Sequence, residues 1–135
     1  MKELYEVADN EGVEIIYGSF PVTRSMSMPG HVALDFSLLF NYAALRVHCA
    51  HELGHCCKGA FYNRYAPHDL RARYETKADK WAIKKLVPAE ELERAVKDGY
   101  TEVWQLAEYF CVTEAFMKKA ICYYLHGNLA VDQYF

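Results

Sequence analysis

Between Asn41 and Lys58 the apolar positions follow neither a one-sided stripe nor an alternation. Ala43, Ala44, Leu45, Val47, Ala50, Leu53, Cys56 and Cys57 fall on every side of a helix, with no proline in the run and almost no charge before His51. A helix apolar all round belongs in the middle of a domain, and Lys58 followed by Gly59 gives it an ordinary C-terminal stop. Upstream the period shortens. Val13, Ile15 and Tyr17 alternate within Gly12 to Gly18, and Val32, Leu34 and Phe36 within His31 to Ser37, and both patterns predict strands. Pro21 to Arg24 are expected to continue the sheet, Met28-Pro29-Gly30 to turn it, and Met1 to Asn10 to form a short helix. Downstream, Asp69 is a candidate N-cap for a helix running unbroken to Val87, ahead of Pro88. Pro88 with Glu90 and Glu91 opens another helix that Gly99 closes. Thr101 and Thr113 read as N-caps of two more, ending before Gly127, and Val103 to Ile121 has the spacing of a helix-turn-helix. The sum is an α+β arrangement, a short sheet packed on a buried central helix with a helical C-terminal part. One domain is expected over residues 1–135, with an N-terminal helix and strands in 1–40, two central helices in 41–87 and the helical part in 88–126.

Composition narrows the classes. The 135 residues, 53% of them apolar, suffice for one real core, and no repeats, low-complexity tracts or linkers interrupt them. The start, MKELYEVADN, is acidic and lacks the apolar run of a signal peptide, and no stretch approaches a membrane span. Five cysteines, an odd number without paired spacing, suit a reducing compartment, so a cytoplasmic protein is expected. The net charge is −3, and the second helix of the helix-turn-helix-like stretch carries Glu114 as well as Lys118 and Lys119. A DNA-binding domain usually shows a strong basic face. That part is therefore expected to pack or to dock a substrate, without membrane or direct nucleic-acid contact.

Chemistry concentrates in the central helix, at His51-Glu52-Leu53-Gly54-His55. Histidines four apart lie one turn above each other on one face, close enough for both rings to bind one zinc ion. Glu52 lies beside them, where it can take a proton from a water on the metal. A satisfied polar patch without metal is the competing reading; left unpaired in so apolar a helix, such groups would cost several kcal/mol (~2–7 each). A third ligand is needed. The arrangement with a histidine six residues beyond the second motif histidine fails, because Lys58 and Phe61 stand where its glycine and histidine would be. A carboxylate from the following helix is the other solution. Glu75, Ala78, Asp79 and Ala82 share one face there, and the small alanines allow close approach, so Glu75 can reach the metal. Asp79, one turn on, can accept the other ring N–H of a ligand histidine and fix its tautomer. Taken alone, Glu75 would read as a solvated carboxylate paired with a neighbouring lysine or arginine.

Further cleft candidates surround the motif. His48, one turn before His51, lies on the metal-facing side and is a candidate for positioning a substrate or polarising a carbonyl, against the commoner hydrogen-bonded interior histidine. The loop Gly59 to His68 joins the two central helices and offers Phe61, Tyr62 and Tyr65 as cleft wall; either tyrosine is a candidate donor to a developing oxyanion. Cys56 and Cys57 turn away from the ligand face and read as small buried hydrophobes.

HELGH at 51–55, followed by Glu75-Thr76-Lys77-Ala78-Asp79-Lys80-Trp81-Ala82, resembles the E-x-x-A-D-x-W/F-A signature of the ImmA/IrrE family of metallopeptidases. Trp104-Gln105-Leu106-Ala107-Glu108-Tyr109-Phe110 and Val112-Thr113-Glu114 are similar to that family's C-terminal part, and the similarity runs from about Tyr17 to Tyr124. The departures are two cysteines directly after the motif, Cys111 where a glycine is common, and a short N-terminal part. The resemblance implies a small zincin-like, zinc-dependent endopeptidase of the kind found in bacteria, temperate phages and integrative elements. It implies His51, His55 and Glu75 as zinc ligands, Glu52 as general base and Asp79 behind a ligand. It also implies a protein substrate, a helix-turn-helix DNA-binding repressor whose cleavage derepresses the genes it silences. The alternative is a regulatory protein that binds a repressor or DNA through its helix-turn-helix-like C-terminal part without proteolysis. The intact HExxH with Glu75 speaks against it, since loss of catalysis would free Glu52 to drift. A purely structural zinc is weaker still, because such sites are usually four protein ligands rich in cysteine. In proteases of this broad type a substrate segment often adds to a sheet edge beside the metal.

Overall fold

The chain is built around one helix. The computed structural model describes residues 1–20 and 22–135. Helix α1 (Lys2–Glu11) leads through Gly12 into β1 (Glu14–Gly18), β2 (Ser25–Met28) and β3 (His31–Asp35), and a 3₁₀ turn (Phe36–Phe40) delivers the chain to α2 (Tyr42–Lys58). Helices α3 (His68–Leu86), α4 (Ala89–Lys97), α5 (Val103–Phe110), α6 (Glu114–His126) and the short α7 (Val131–Tyr134) follow. The strands form one sheet in the order β1-β3-β2, with β1 parallel and β2 antiparallel to β3. The fold is therefore α+β, as the patterning predicts. Helix α2 touches α1, α3, β2, β3 and the 3₁₀ turn, which accounts for its all-round apolar character.

Local chemistry sets the ends of α2. The Asn41 side chain accepts a hydrogen bond from Ala44 N at 3.1 Å, satisfying one of the orphan amides of the first turn. At the other end Gly59 adopts φ 60°, and its neighbour Ala60 N donates to His55 O at 2.9 Å, closing the helix. Packing against α3 is unusually close. A Cβ placed on Gly54 would lie 2.7 Å from the Ala78 carbonyl oxygen and 3.0 Å from its Cα, so the two helices meet backbone to backbone. The alanine-lined face of α3 makes this possible, with Ala78 and Ala82 fully buried. Leu53, Ile83, Leu86, Val87, Leu106, Phe110, Phe116 and Met117 belong to the same apolar core as Leu4, Val32 and Leu34, so the C-terminal helices share their interior with the sheet.

Several boundaries differ from expectation. Strand β2 begins at Ser25, not within Pro21 to Arg24; Val22 to Arg24 carry no strand, and Pro21 lies outside the described residues. Helix α3 starts at His68, with Pro67 preceding it and no side-chain cap, so Asp69 sits in the first turn rather than at the N-cap. Thr101 is not the cap of α5. Glu102 is, in a reciprocal capping box with Gln105. Thr113 does cap α6, accepting from Phe116 N at 3.2 Å. Cys56 and Cys57 are partly exposed rather than buried, with Cys56 Sγ directed at the Met28 and His31 carbonyls, 3.6 and 3.8 Å away. Among the described residues, no helix is long and apolar enough to cross a membrane.

Candidate metal centre

The close approach of α2 and α3 at Gly54 brings three donors together: His51, His55 and Glu75 offer atoms that all lie within 4.8 Å of one another. His51 Nε2 is 2.7 Å from Glu75 Oε2, His55 Nε2 is 3.2 Å from Glu75 Oε1, and the two Nε2 atoms are 3.2 Å apart. The outer nitrogens are engaged elsewhere. His55 Nδ1 faces the Ala60 carbonyl at 2.6 Å, and His51 Nδ1 faces Asp79 Oδ1 at 2.7 Å. Both partners only accept, so both Nδ1 atoms must carry hydrogen and donate. Each neutral ring then turns a bare Nε2 lone pair inward, toward the other ring and toward a carboxylate.

Lone pairs packed against lone pairs require a cation among them, either protons or a metal ion. In the metal-free arrangement the protons are held tightly. Burial alone would lower the His51 pKa, but its hydrogen bonds to Asp79 and Glu75 outweigh burial and raise it to about 10. Burial likewise opposes, and hydrogen bonds to Glu75 and Ala60 O override, at His55, which is also raised. The same hydrogen bonds from His51 and His55, against burial and with help from Tyr62, hold Glu75 far below the usual carboxylate range. Asp79, although burial works against its charge, is lowered by His51 and Lys119. A metal ion suits the same geometry. Two nitrogens about 2.0–2.1 Å from a tetrahedral zinc lie roughly 3.3 Å apart, close to the 3.2 Å between the two Nε2 atoms. Two neutral imidazoles and a carboxylate are also a donor set that zinc accepts, leaving a fourth position open.

The site opens into a cleft of about 770 Å³ between the sheet edge, α2, α3 and the start of α6. Glu52 lies on its wall with only 7% of its surface exposed, and each carboxylate oxygen accepts one hydroxyl: Ser25 Oγ donates to Oε2 at 2.7 Å and Ser27 Oγ to Oε1 at 2.8 Å. His48 also lines the cleft, its Nδ1 2.9 Å from Ser25 Oγ. Burial, then the nearby Arg24, lowers the His48 pKa, so the ring is neutral near pH 7. The two tyrosines separate. Tyr62 lines the cleft and donates to Glu75 Oε1 at 2.6 Å, which together with burial raises its own pKa to about 12. Tyr65 is 78% exposed, is bonded to Arg64 and lies away from the cleft.

Sequence reasoning missed four contributors. Ser25 and Ser27 occupy a strand that the apolar pattern did not locate. Thr23 lies on the cleft wall just before that strand. Lys119, from α6, reaches Asp79 Oδ2 at 3.3 Å and so supports the partner of His51. The Ser25 and Ser27 alternation was the one available signal, since residues two apart on a strand share a face.

Neither a curated protein nor a solved structure matches the chain. Residues 44–121, which span α2 to most of α6 and hold every donor of the centre, match the sequence model of Peptidase_M78, the IrrE N-terminal-like domain, and the chain belongs to that family.

Proposed function

We propose that the protein is a zinc-dependent endopeptidase that cuts an extended segment of a DNA-binding repressor. One observation carries the peptidase reading: the Nε2 atoms of His51 and His55 and the Glu75 carboxylate converge in the cleft whose wall holds Glu52. Bound by those three residues, zinc would supply a Lewis acid that polarises a scissile carbonyl and brings the pKa of water to about 7. Glu52 is the base of this chain. Its carboxylate takes the proton of the attacking water and returns it to the leaving amine nitrogen. Asp79 and Ala60 O hold the two ligand rings in the tautomer that keeps Nε2 free. Tyr62, bonded to Glu75, is the tyrosine within reach of the reacting groups.

The sheet supports an extended substrate. Among the described residues strand β2 pairs with β3 on one side only, and Thr23, Ser25, Met26 and Ser27 line the cleft. A peptide can add to that edge through its backbone, with side chains settling in the cleft. A repressor partner rests on the family resemblance, and the opposite wall supports a docking role for the C-terminal helices, since Thr113, Ala115, Phe116 and Lys119 of the α6 end line it. Direct DNA contact is disfavoured: Lys119 is paired with Asp79, and Lys118 lies over the Phe135 ring at 5.8 Å.

The test mixes purified protein, zinc and the helix-turn-helix repressor encoded beside its gene, with cleavage followed by mass spectrometry. Cutting at one or a few sites in an extended segment is expected. Glu52→Gln should keep the zinc and lose about 10²–10⁴-fold in rate. Efficient digestion of generic unfolded proteins with that repressor left intact would overturn the partner, and full activity of Glu52→Gln would overturn the mechanism.

A further inference from the structure

We infer that Ser25 and Ser27 are positioning residues that fix Glu52 for proton transfer, so that the edge strand which receives the substrate also holds the base. The inference rests on the peptidase reading above. Glu52 is nearly buried on α2, yet its carboxylate is bonded not by its own helix but by two hydroxyls from β2, one on each oxygen, at 2.7 and 2.8 Å. Residues two apart on a strand face the same way, so Ser25 and Ser27 form a matched pair of donors while Met26 between them does not. Two contacts on one planar group fix both its position and its rotation. A single bond would leave it free to turn.

His48 completes the arrangement. A serine hydroxyl has one proton, and that of Ser25 goes to Glu52, so toward His48 the Ser25 oxygen accepts. His48 Nδ1 therefore carries the hydrogen, and its Nε2 is left as an acceptor. A neutral ring in that tautomer suits an incoming N–H and cannot polarise a carbonyl, which removes one of the two roles open to it from sequence. The chain of contacts runs His48, Ser25, Glu52, and it passes through a strand whose outer edge is unpaired among the described residues. Pairing of a substrate strand along that edge immobilises the β2 backbone, and with it the two hydroxyls and the base. A well-docked substrate then gains in turnover as well as in binding.

Serines that only satisfy a buried carboxylate would affect folding and nothing more, and kinetics separates the two roles. With the zinc-loaded full chain and the neighbouring repressor, the double variant Ser25→Ala, Ser27→Ala should lose about 10²-fold in kcat, the scale of a misplaced reacting group. KM should stay within about twofold and zinc content should be unchanged. Ser25→Thr with Ser27→Thr, which retains both hydroxyls, should recover most of the rate. A second measurement needs no substrate: in zinc-free protein the double alanine variant should lower the urea midpoint, and should do so far less in a Glu52→Met background. An active wild type with an equally active double alanine variant, or an equal midpoint loss in both backgrounds, overturns the positioning role and leaves the peptidase reading standing. A zinc-loaded wild type inert toward the repressor and toward unfolded proteins overturns that reading, and this role with it.

Discussion

At the scale of residues, the two nitrogens of His51 divide the work of the centre. One donates to Asp79 and the other faces Glu75 and His55, so the ring cannot lose its second proton without leaving lone pairs opposed. Its pKa of about 10 in the metal-free protein has a direct consequence for ion binding. At pH 7 the free ring is charged, and a metal ion must displace that proton. Affinity should therefore rise with pH through neutrality, by roughly tenfold per unit for each proton released. Calorimetric titration with zinc in buffers of different ionisation enthalpy should show a heat that depends on the buffer; a buffer-independent heat would contradict the assignment. Asp79→Asn keeps the shape but loses the carboxylate that fixes the tautomer, and should weaken zinc binding by about 10–100-fold in a chelator competition assay. His51, Glu52 and His55 were legible in the sequence because a helix converts spacing directly into proximity. Glu75 was legible because alanines marked the face that could come close. Ser25 and Ser27 were not, since their partner is 27 and 25 residues away across a strand-to-helix contact that no local period encodes. Tyr62 and Tyr65 were inseparable for a similar reason, because a loop has no period to say which side faces inward.

At the scale of elements, the contact at Gly54 governs the distance between the ligand-bearing helices. A methyl group there would meet backbone, which cannot swing aside as a side chain can. Gly54→Ala should cost about 1–3 kcal/mol by overpacking. It should also weaken zinc binding, because any relief moves Glu75 away from the histidines. Thermal unfolding with and without zinc, together with the zinc affinity, checks both. Unchanged affinity would mean that the helices can separate without disturbing the donors. Cys111 closes α5 with φ 54° and ψ 50°, a conformation that costs a residue with a Cβ on the order of 1 kcal/mol. Cys111→Gly should thus raise the melting temperature by a few degrees. The same scale explains where boundaries were misread. The alternation in Ser25 to Met28 is inverted relative to the usual pattern, with serines turned to a buried carboxylate and Met28 exposed, so apolar periodicity pointed elsewhere. Asp69 and Thr101 have the chemistry of caps, but Pro67 and the Glu102–Gln105 pair begin their helices one or two residues away.

Across the whole molecule, the first and fifth helices are tied to the central one. Arg46 on α2 bonds Glu3 of α1 and the Phe110 and Cys111 carbonyls at the end of α5, joining three helices through one guanidinium. Its bond to Glu3 is the largest cause holding that carboxyl below its ordinary value. Zinc should stabilise the molecule by mass action, by about 2.7 kcal/mol at a hundredfold excess over its dissociation constant. The accompanying rise in melting temperature should vanish in His51→Ala; a rise that survives would place the ion elsewhere. The reach of Lys119 from α6 to Asp79 has a different kind of consequence. It makes the donor-bearing helices and the C-terminal helices poor candidates for exchange by recombination. A crossover between residues 88 and 113 would join an Asp79 to a foreign sixth helix, and the recombinant would inherit all three donors yet lose the lysine paired with the carboxylate behind His51. A chimera with exchanged C-terminal helices is expected to need a lysine at that place, or a substitute for it on the third helix itself.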